Sequence, residues 1–369
     1  MKLNRLSGVV ALGAVAALSL AGCAANESAG SGGSGSEAPA EGAAAGQIGA
    51  TGASSQAAAQ AALTAAFQQE NPDATVGYES TGSGTGRDNL VAGASDFIGS
   101  DRAFTTEELE GGFQACASDS IVEIPTYISP VALAFNLPGI DTLNLDAETI
   151  AGIFAGEITT WNDEAIASQN EGVELPDTAI TPVNRSDDSG TTETFATYLA
   201  ATAPDIWDYE VSGLWPIEGT ERAQGTQGIA QVVSSSEGTI GYLDASQVPE
   251  EAGQVAVGVD GEYVEYSAEA ASKLIENSEL EEGREPQDLV FAVDPATATD
   301  GAYPIALVSY LIGCVEYEDT AKAQLVKDYF TFVASEEGQQ IAADEAGSAP
   351  ISESLREQVN TAIEAIVTE

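Results

Sequence analysis

Hydrophobic residues follow two different spacings along most of this chain, and their alternation predicts an α/β fold. Apolar residues three and four positions apart predict helices, and short apolar runs bounded by turn residues predict strands. The predicted helices cover residues 54–69, 85–94, 146–155, 191–201, 225–234, 268–277, 304–311, 321–334 and 337–345. The predicted strands cover residues 75–78, 120–125, 131–136, 180–184 and 238–242. Strands that alternate with helices are typical of sheets flanked by helices.

The N-terminal residues have the pattern of an export signal. Lys2 and Arg5 precede an apolar run, residues 6–21, which is shorter than a usual membrane span. Two small residues then lead to Cys23, and this arrangement resembles the lipobox of bacterial lipoproteins. In those proteins the signal is removed before the cysteine, which then carries a diacylglyceryl lipid. We therefore expect a signal over residues 1–22 and lipidation of Cys23, with a plain signal peptide and an incidental cysteine as the alternative.

Residues 23–46 predict a flexible tether, because they are mostly Ala, Gly, Ser and Glu and contain no aromatic residue. The folded part is expected to begin at residue 47. A length of 369 residues suggests two domains.

The charge of the chain is strongly acidic, and this limits its partners. Lys and Arg total 11 against 59 Asp and Glu, with no His, for a net charge of −48. Such a balance argues against binding to nucleic acid or to anionic membrane surfaces. An anionic ligand would have to be captured by local groups. No cluster of residues has metal-ligand spacing, so neither a metal nor a cofactor is predicted.

Only two cysteines follow Cys23, namely Cys116 and Cys314. In an exported protein, two cysteines predict one disulfide, and two buried free thiols remain the alternative.

Three segments place small hydroxyl residues and Gly just before a helical pattern. They are residues 50–55, 80–86 and 185–192. Free N–H groups at a helix start carry the positive end of the helix dipole, and Ser and Thr hydroxyls can donate further hydrogen bonds. Any one segment alone could be an ordinary helix cap. Together they predict a site for an oxyanion that needs no net positive charge.

Two charged residues sharpen this hypothesis. Arg185 follows a predicted strand and offers a planar guanidinium for a bidentate contact, which Asp187 could orient. Asp101 is a carboxylate that suits an oxyanion only if the ligand still carries a proton to donate. Sulfate offers no such proton and would be rejected. Arg102 could add a cation near the mouth of the site, although we expect it to be a solvated surface residue.

The ordered set of motifs resembles the phosphate-binding component of the high-affinity bacterial phosphate ABC transporter. The resemblance spans about residues 47–350 and is carried by residues 49–54, 78–86, 96–101, 153–163 and 185–191. It implies a two-lobed fold of the periplasmic-binding-protein type (type II), with mixed sheets flanked by helices and the ligand in the cleft between the lobes. Lobe I would comprise residues 47–127 and 295–369, and lobe II residues 128–294. The chain would cross between them near Tyr127 and near Asp294.

The resemblance also implies a set of phosphate ligands. They are Ser54, the backbone of Ser55, Ser83, Asp101, Arg185, Ser189, Gly190 and Thr191, with Asp187 holding Arg185. The chain departs from the family at Ser55, where some members have Phe, and at residues 225–228, where members often have another sequence. The second departure puts in doubt any support that residues 225–228 give the site.

The implied function is high-affinity binding of inorganic phosphate and its delivery to a membrane permease. We expect a monomer that is not an enzyme, anchored at the outer face of the cell membrane through Cys23. Three alternatives stay open: a hydrolase of phosphate esters, a surface adhesin or sensor without a transport role, and a binding protein for another tetrahedral oxyanion such as arsenate. The absence of His and the scarcity of Lys argue against the hydrolase.

Overall fold

The computed structural model describes residues 44–369; the predicted signal and Cys23 lie outside the described residues. The strands are β1 (Gly46–Gly52), β2 (Ala74–Glu79), β3 (Phe97–Ser100), β4 (Ile121–Phe135), β5 (Thr142–Leu145), β6 (Thr181–Arg185), β7 (Glu221–Ala223), β8 (Thr239–Asp244), β9 (Gly253–Val259), β10 (Glu262–Val264), β11 (Glu279–Leu280), β12 (Phe291–Ala292) and β13 (Ala306–Cys314). The helices are α1 (Ala57–Glu70), α2 (Ser83–Ala92), α3 (Thr106–Leu109), α4 (Ala147–Ala155), α5 (Glu164–Ala167), α6 (Gly190–Thr202), α7 (Gly225–Ser235), α8 (Ala268–Glu276), α9 (Thr320–Ala334), α10 (Glu336–Ala346) and α11 (Glu353–Ile363). Two short 3₁₀ turns cover Ala245–Gln247 and Pro295–Thr297.

One mixed sheet organises these elements, in the order β2-β1-β3-β13-β4-β8-β6-β7, and β9 adds β5 and β10 beside β4. Parallel pairs join β1 to β2 and β3, and β6 to β7 and β8, whereas β13 is antiparallel to both β3 and β4. The predicted α/β class, with a mixed sheet flanked by helices, is confirmed. Strand β1 begins at Gly46 and Ala44 is already buried, so the folded part starts slightly inside the segment predicted as a tether.

The segment predicted as a helix over residues 304–311 was interpreted wrongly, because it forms most of β13. Every residue of β13 is buried, and the strand lies between β3 and β4 in the sheet. A strand that is covered on both faces is apolar on both faces, so its sequence has no alternation that separates it from a buried helix.

Residues 120–125 and 131–136 were predicted as two strands, but they are parts of the single strand β4. The strand contains Pro125 and Pro130. Both prolines pair with residues of β13. On the other edge of β4, the pairing with β8 begins only after them, at Val131. Proline is tolerated in a strand where an edge has no full ladder of hydrogen bonds.

Strand β4 joins two halves of the fold. Its first part pairs with β13, and its last part pairs with β8 and β9. We call β1–β3 with α1, α2 and α9–α11 the first half, and β5–β10 with α4–α7 the second half. The register between β4 and β13 shifts between Ser309, which pairs with Tyr127, and Tyr310, which pairs with Pro125. A shift of this kind bends the strands locally, so the two halves meet at an irregular point of the sheet.

A disulfide joins Cys116, in the loop before β4, to Cys314 at the end of β13. The three tryptophans, Trp161, Trp207 and Trp215, are all buried in the core. Across residues 44–369, every helix is too short or too polar to be a candidate for a membrane span.

Candidate anion-binding site

The predicted ligands converge where the two halves of the fold meet. The turn that leads into α1 carries Ser54 and Ser55, and α2 begins at Ser83. From the second half, α6 begins at Gly190 directly after Ser189. The eight predicted ligands, Ser54, Ser55, Ser83, Asp101, Arg185, Ser189, Gly190 and Thr191, are all buried. Since the first amides of a helix have no acceptor within it, the starts of α2 and α6 both bring donors to this region.

Asp101 lies at the centre of a group of hydroxyls. Its Oδ1 accepts hydrogen bonds from Ser55 Oγ at 2.5 Å and from Ser309 Oγ at 2.7 Å. Its Oδ2 accepts one from Thr191 Oγ1 at 3.1 Å, and its backbone amide donates to Ser83 Oγ at 3.1 Å. The carboxylate is therefore bonded to both halves, and Oδ2 has fewer donors than Oδ1.

Arg185, at the end of β6, is only 2% exposed and pairs with Asp187. Arg185 Nε donates to Asp187 Oδ1 at 2.9 Å, and Nη2 donates to Oδ2. Burial alone would raise the pKa of Asp187, but the hydrogen bonds and charge of Arg185 outweigh it and the pKa is lowered. Asp187 thus stays ionised and fixes one edge of the guanidinium. Among the described side chains, Nη1 of Arg185 has no hydrogen-bond acceptor, so that edge remains for a ligand.

Ser54 connects the start of α1 to the start of α7. Ser54 Oγ lies 3.0 Å from Thr226 Oγ1 and accepts a hydrogen bond from the Thr226 amide at 3.1 Å. Gln247 Nε2 donates to the carbonyl of Ser54 at 2.9 Å. The neighbouring amide of Gly225 donates to Asp187 Oδ1 at 3.0 Å. Residues 225–228, which the sequence left in doubt, therefore contact both Ser54 and the partner of Arg185.

Asp188 makes a further contact between the halves. Its carbonyl accepts a hydrogen bond from the Gly84 amide at 3.1 Å, and its Oδ1 lies 3.4 Å from Nη2 of Arg87. A Cβ atom on Gly84 would lie 2.2 Å from Cγ of Asp188, so a larger residue would force the two segments apart. Arg87 is nearly buried, and burial together with the charge of Arg102 lowers its pKa.

Arg102 is not the solvated surface residue that we expected. It donates to both carboxylate oxygens of Glu108, at 2.6 and 2.8 Å, and to Glu193 Oε2 at 2.9 Å. Glu193 lies on α6, so this ion pair also joins the two halves. Burial raises the pKa of Glu193, although the charge of Arg102 partly opposes the effect. Because its guanidinium is used by two carboxylates, Arg102 has little capacity for an anion.

Gly190 shows how tightly the halves fit together. A Cβ atom at this position would lie 2.4 Å from Cβ of Asp101 and 2.9 Å from Oγ of Ser83. Only glycine allows the start of α6 to approach those two residues. The structure therefore has the two halves in a closed arrangement around the predicted ligands.

Sequence reasoning missed several residues of this region. Ser309 was hidden inside the segment interpreted as a helix. Thr226 was noted only as a departure from the family pattern, and for Ser55 only the backbone was considered. Gln247 has no local pattern that marks it, because its contact with the carbonyl of Ser54 comes from a distant part of the chain. Arg87 was also missed, although a basic residue just after a Gly-rich helix start is a signal that could have been used.

The arrangement suits capture of a small, partly protonated oxyanion. Helix starts and hydroxyls supply donors, Arg185 supplies one charge, and Asp101 supplies an acceptor. Across residues 44–369, His, Cys, Asp and Glu form no grouping that could hold a metal ion.

Comparisons with known proteins agree on one family. A profile described as the PBP superfamily domain matches residues 37–337. The chain is 32% identical over 374 residues to Phosphate-binding protein PstS 3 of Mycobacterium leprae, covering 99% of this chain and 100% of that protein. It is 31% identical over 292 residues to Phosphate-binding protein PstS of Xylella fastidiosa, covering 77% of this chain and 76% of that protein.

Solved structures show the same fold. A high-affinity periplasmic phosphate-binding protein (PfluDING), determined with bound phosphate, superposes with a TM-score of 0.71 at 22% identity, covering 86% of this chain and 93% of that one. A putative phosphate ABC transporter substrate-binding protein from Clostridium perfringens, also with bound phosphate, gives a TM-score of 0.60 at 21% identity, covering 83% and 100%.

Proposed function

Because this chain belongs to the PstS family of phosphate-binding proteins, we propose that it binds inorganic phosphate outside the cytoplasm and delivers it to an ABC-type permease for import. The observation that carries the proposal is the buried convergence of two helix starts, Arg185 and Asp101. A doubly charged phosphate has oxygens that accept hydrogen bonds and one proton that it can donate. The helix starts and Arg185 match the oxygens, and Asp101 matches the proton.

We propose roles for the ligands as follows. Phosphate oxygens accept hydrogen bonds from three hydroxyls, those of Ser54, Ser83 and Ser189, and from three backbone amides, those of Ser55, Gly190 and Thr191. Arg185 binds two phosphate oxygens through the edge of its guanidinium that Asp187 leaves open. Asp101 accepts a hydrogen bond from the protonated phosphate oxygen. Asp101 and Asp187 together carry more charge than Arg185. The donors at the helix starts therefore supply the remaining stabilisation of the anion, as the acidic background requires.

The two halves act as two lobes that close on phosphate. We assign residues 47–127 and 295–369 to lobe I and residues 128–294 to lobe II, with crossings at β4 near Tyr127 and at the segment near Asp294 that leads into β13. The contacts that join the halves, such as Ser54 with Thr226 and Asp101 with Thr191, support closure as the step that buries the ligand. Closure would then create the surface that the permease recognises.

The binding test is calorimetric titration of the purified full chain with phosphate, with sulfate as the competing anion. We expect tight binding of phosphate and much weaker binding of sulfate. Arg222→Ala is a suitable control, because Arg222 is exposed and, within the described part of the chain, donates only to the carbonyls of Trp215 and Ile217. Absence of phosphate binding, or equal binding of the two anions, would contradict the proposal.

We propose that the chain is a binding protein and not an enzyme, and that it acts as a monomer, since all the proposed ligands come from one chain. Incubation with a chromogenic phosphate ester tests the first statement, and release of the chromophore would refute it.

Transport is tested in cells that lack this chain. They should take up radiolabelled phosphate more slowly at low phosphate concentration, and equal uptake would instead favour a sensor or adhesin.

We propose that residues 1–22 are a lipoprotein signal, that Cys23 carries the lipid, and that the following residues tether the folded part to the outer face of the cell membrane. One acyl chain gives only reversible attachment, whereas the several chains of a bacterial lipoprotein hold the protein stably. Metabolic labelling with a palmitate analogue should mark the natural chain and not a Cys23→Ala variant. Equal labelling of both would exclude this anchor.

A further inference from the structure

A row of buried polar side chains leads from α9 to the carboxylate of Asp101. Tyr329 Oη donates to Gln60 Oε1 at 2.6 Å, and Gln60 Nε2 donates to Gln56 Oε1 at 2.8 Å. Gln56 Nε2 donates to Ser309 Oγ at 2.6 Å, and Ser309 Oγ donates to Asp101 Oδ1 at 2.7 Å. We call Tyr329, Gln60, Gln56 and Ser309 the relay.

The relay is buried where α1, α9 and β13 meet. Its four side chains are at most 2% exposed. Burying polar groups in an apolar core is costly unless each finds a partner, and here each donor meets an acceptor within the row. Burial raises the pKa of Tyr329, so its hydroxyl keeps the proton that it donates to Gln60.

Every hydrogen bond of the relay is donated in the same direction, from Tyr329 towards Asp101. The amide of Gln56 donates to Ser309 Oγ, so the one hydroxyl proton of Ser309 is left to point at Asp101 Oδ1. That oxygen also accepts from Ser55 at 2.5 Å, which uses its two principal acceptor directions. Within residues 44–369, Oδ2 accepts from Thr191 alone and keeps one direction open.

We propose that Ser309 and Gln56 are positioning residues that make Asp101 a one-sided acceptor and thereby set the preference for an oxyanion that carries a proton. The inference rests on the proposed binding of phosphate and goes beyond it. With Oδ1 held by two donors, the carboxylate cannot turn away, so an unprotonated oxyanion meets Oδ2 without a hydrogen to share. When one of the two hydrogen bonds to Oδ1 is removed, the carboxylate can move away from the ligand. The free-energy penalty for binding an unprotonated oxyanion such as sulfate then falls.

The test compares phosphate and sulfate binding by calorimetry for the full chain and three variants. Ser309→Ala removes the last donor of the relay, Ser309→Thr keeps a hydroxyl there, and Ser95→Ala is the matched control. Ser95 is also buried in the first half, but its hydroxyl contacts Thr51 and not the relay. We expect Ser309→Ala to lower the phosphate-to-sulfate affinity ratio by about tenfold, the usual scale for one lost hydrogen bond to a charged group. Ser309→Thr and Ser95→Ala should keep the ratio.

The outcomes separate the two proposals. If the natural chain does not bind phosphate, the proposed function fails and the inference fails with it. If the natural chain is selective and Ser309→Ala keeps its ratio, the positioning role alone is overturned, even when both affinities fall together. The positioning role is also overturned if Ser309→Thr lowers the phosphate-to-sulfate affinity ratio as much as Ser309→Ala does. Changed packing at residue 309 would then explain both results.

Circular dichroism checks that the variants fold. If Ser309→Ala does not fold, Tyr329→Phe replaces it, because that change removes only the hydroxyl at the far end of the relay. The expected drop in the ratio is then about threefold, since the perturbation must pass through two glutamines. An unchanged ratio would overturn the proposal.

Discussion

Ser54 and Thr226 come from opposite halves of the fold and bond to each other twice, through their hydroxyls at 3.0 Å and through the Thr226 amide to Ser54 Oγ at 3.1 Å. They lie 172 positions apart in the chain. Ser54 is also a proposed phosphate ligand, so under that proposal the same hydroxyl would both bind phosphate and hold the halves together.

Thr226→Val should weaken phosphate binding by about tenfold, mainly through faster release, because it removes a contact that exists only between closed halves. Stopped-flow measurement of phosphate dissociation checks this. Thr361→Val is the control, since Thr361 is exposed on α11 and its hydroxyl, among the residues that the structure describes, bonds only to the carbonyl of Glu357. Unchanged dissociation in Thr226→Val would show that the contact does not stabilise closure.

Arg185→Ala should reduce phosphate affinity by at least about a hundredfold, because the buried anion would lose its direct cationic partner and Asp187 would be left without its own. Titration of phosphate into this variant measures the effect. Arg185→Lys should recover only part of the affinity, since an ammonium group lacks the planar fork that can bind Asp187 along one edge and phosphate along another. Equal binding by the natural chain and Arg185→Ala would remove Arg185 from the site.

Asp101→Asn should lower the preference for phosphate over sulfate by tenfold or more, because an amide nitrogen can donate to sulfate where the carboxylate could only accept. Competition titrations with both anions give the ratio. The change keeps the size of the side chain, so Ser55, Ser309 and Thr191 retain a partner of similar shape. Unaltered selectivity would argue that the ligand proton is bound elsewhere.

Asp244 predicts a pH dependence of stability. Burial raises the pKa of Asp244 to about 6, although hydrogen bonds from Ser246 and Tyr127 partly offset the effect. The folded state then binds the proton more tightly than the unfolded state, whose value lies near 3.8. The free energy of unfolding should gain from this group as the pH falls through 6, and the gain should level off below about 4.

Urea unfolding of the natural chain and of Asp244→Asn, from pH 7.5 to pH 4, measures this contribution. The difference between the two curves should change by about 2 to 3 kcal/mol over that range. Asp260→Asn is the matched control, because Asp260 lies in an exposed turn at a positive φ of 51°, which asparagine also tolerates. A flat difference curve for Asp244→Asn would contradict the prediction.

The sequence was informative where one local pattern determines one structure. The helix starts before α1, α2 and α6 could be predicted because Gly and hydroxyl residues precede apolar periodicity. Strand β13 could not, because a strand buried on both faces lacks the alternation that distinguishes it. The error had a cost at the site, since it hid Ser309, one of the three hydroxyls on Asp101.

Contacts between distant segments could not be predicted from local sequence patterns, for a different reason. The bonds from Ser54 to Thr226, from Gly84 to Asp188 and from Gln56 to Ser309 depend on how the sheet brings remote turns together. No single segment contains the information. The resemblance to a known family supplied the predicted ligand set but not these supporting contacts.

The disulfide between Cys116 and Cys314 gives the chain a property that hydrogen bonds cannot give. Because 198 positions separate the two cysteines, the bond closes a covalent ring that contains all of β4, the whole second half and β13. A protease that cuts the backbone once inside this ring leaves a single covalently connected molecule. Such a nicked protein would migrate as one species until it is reduced.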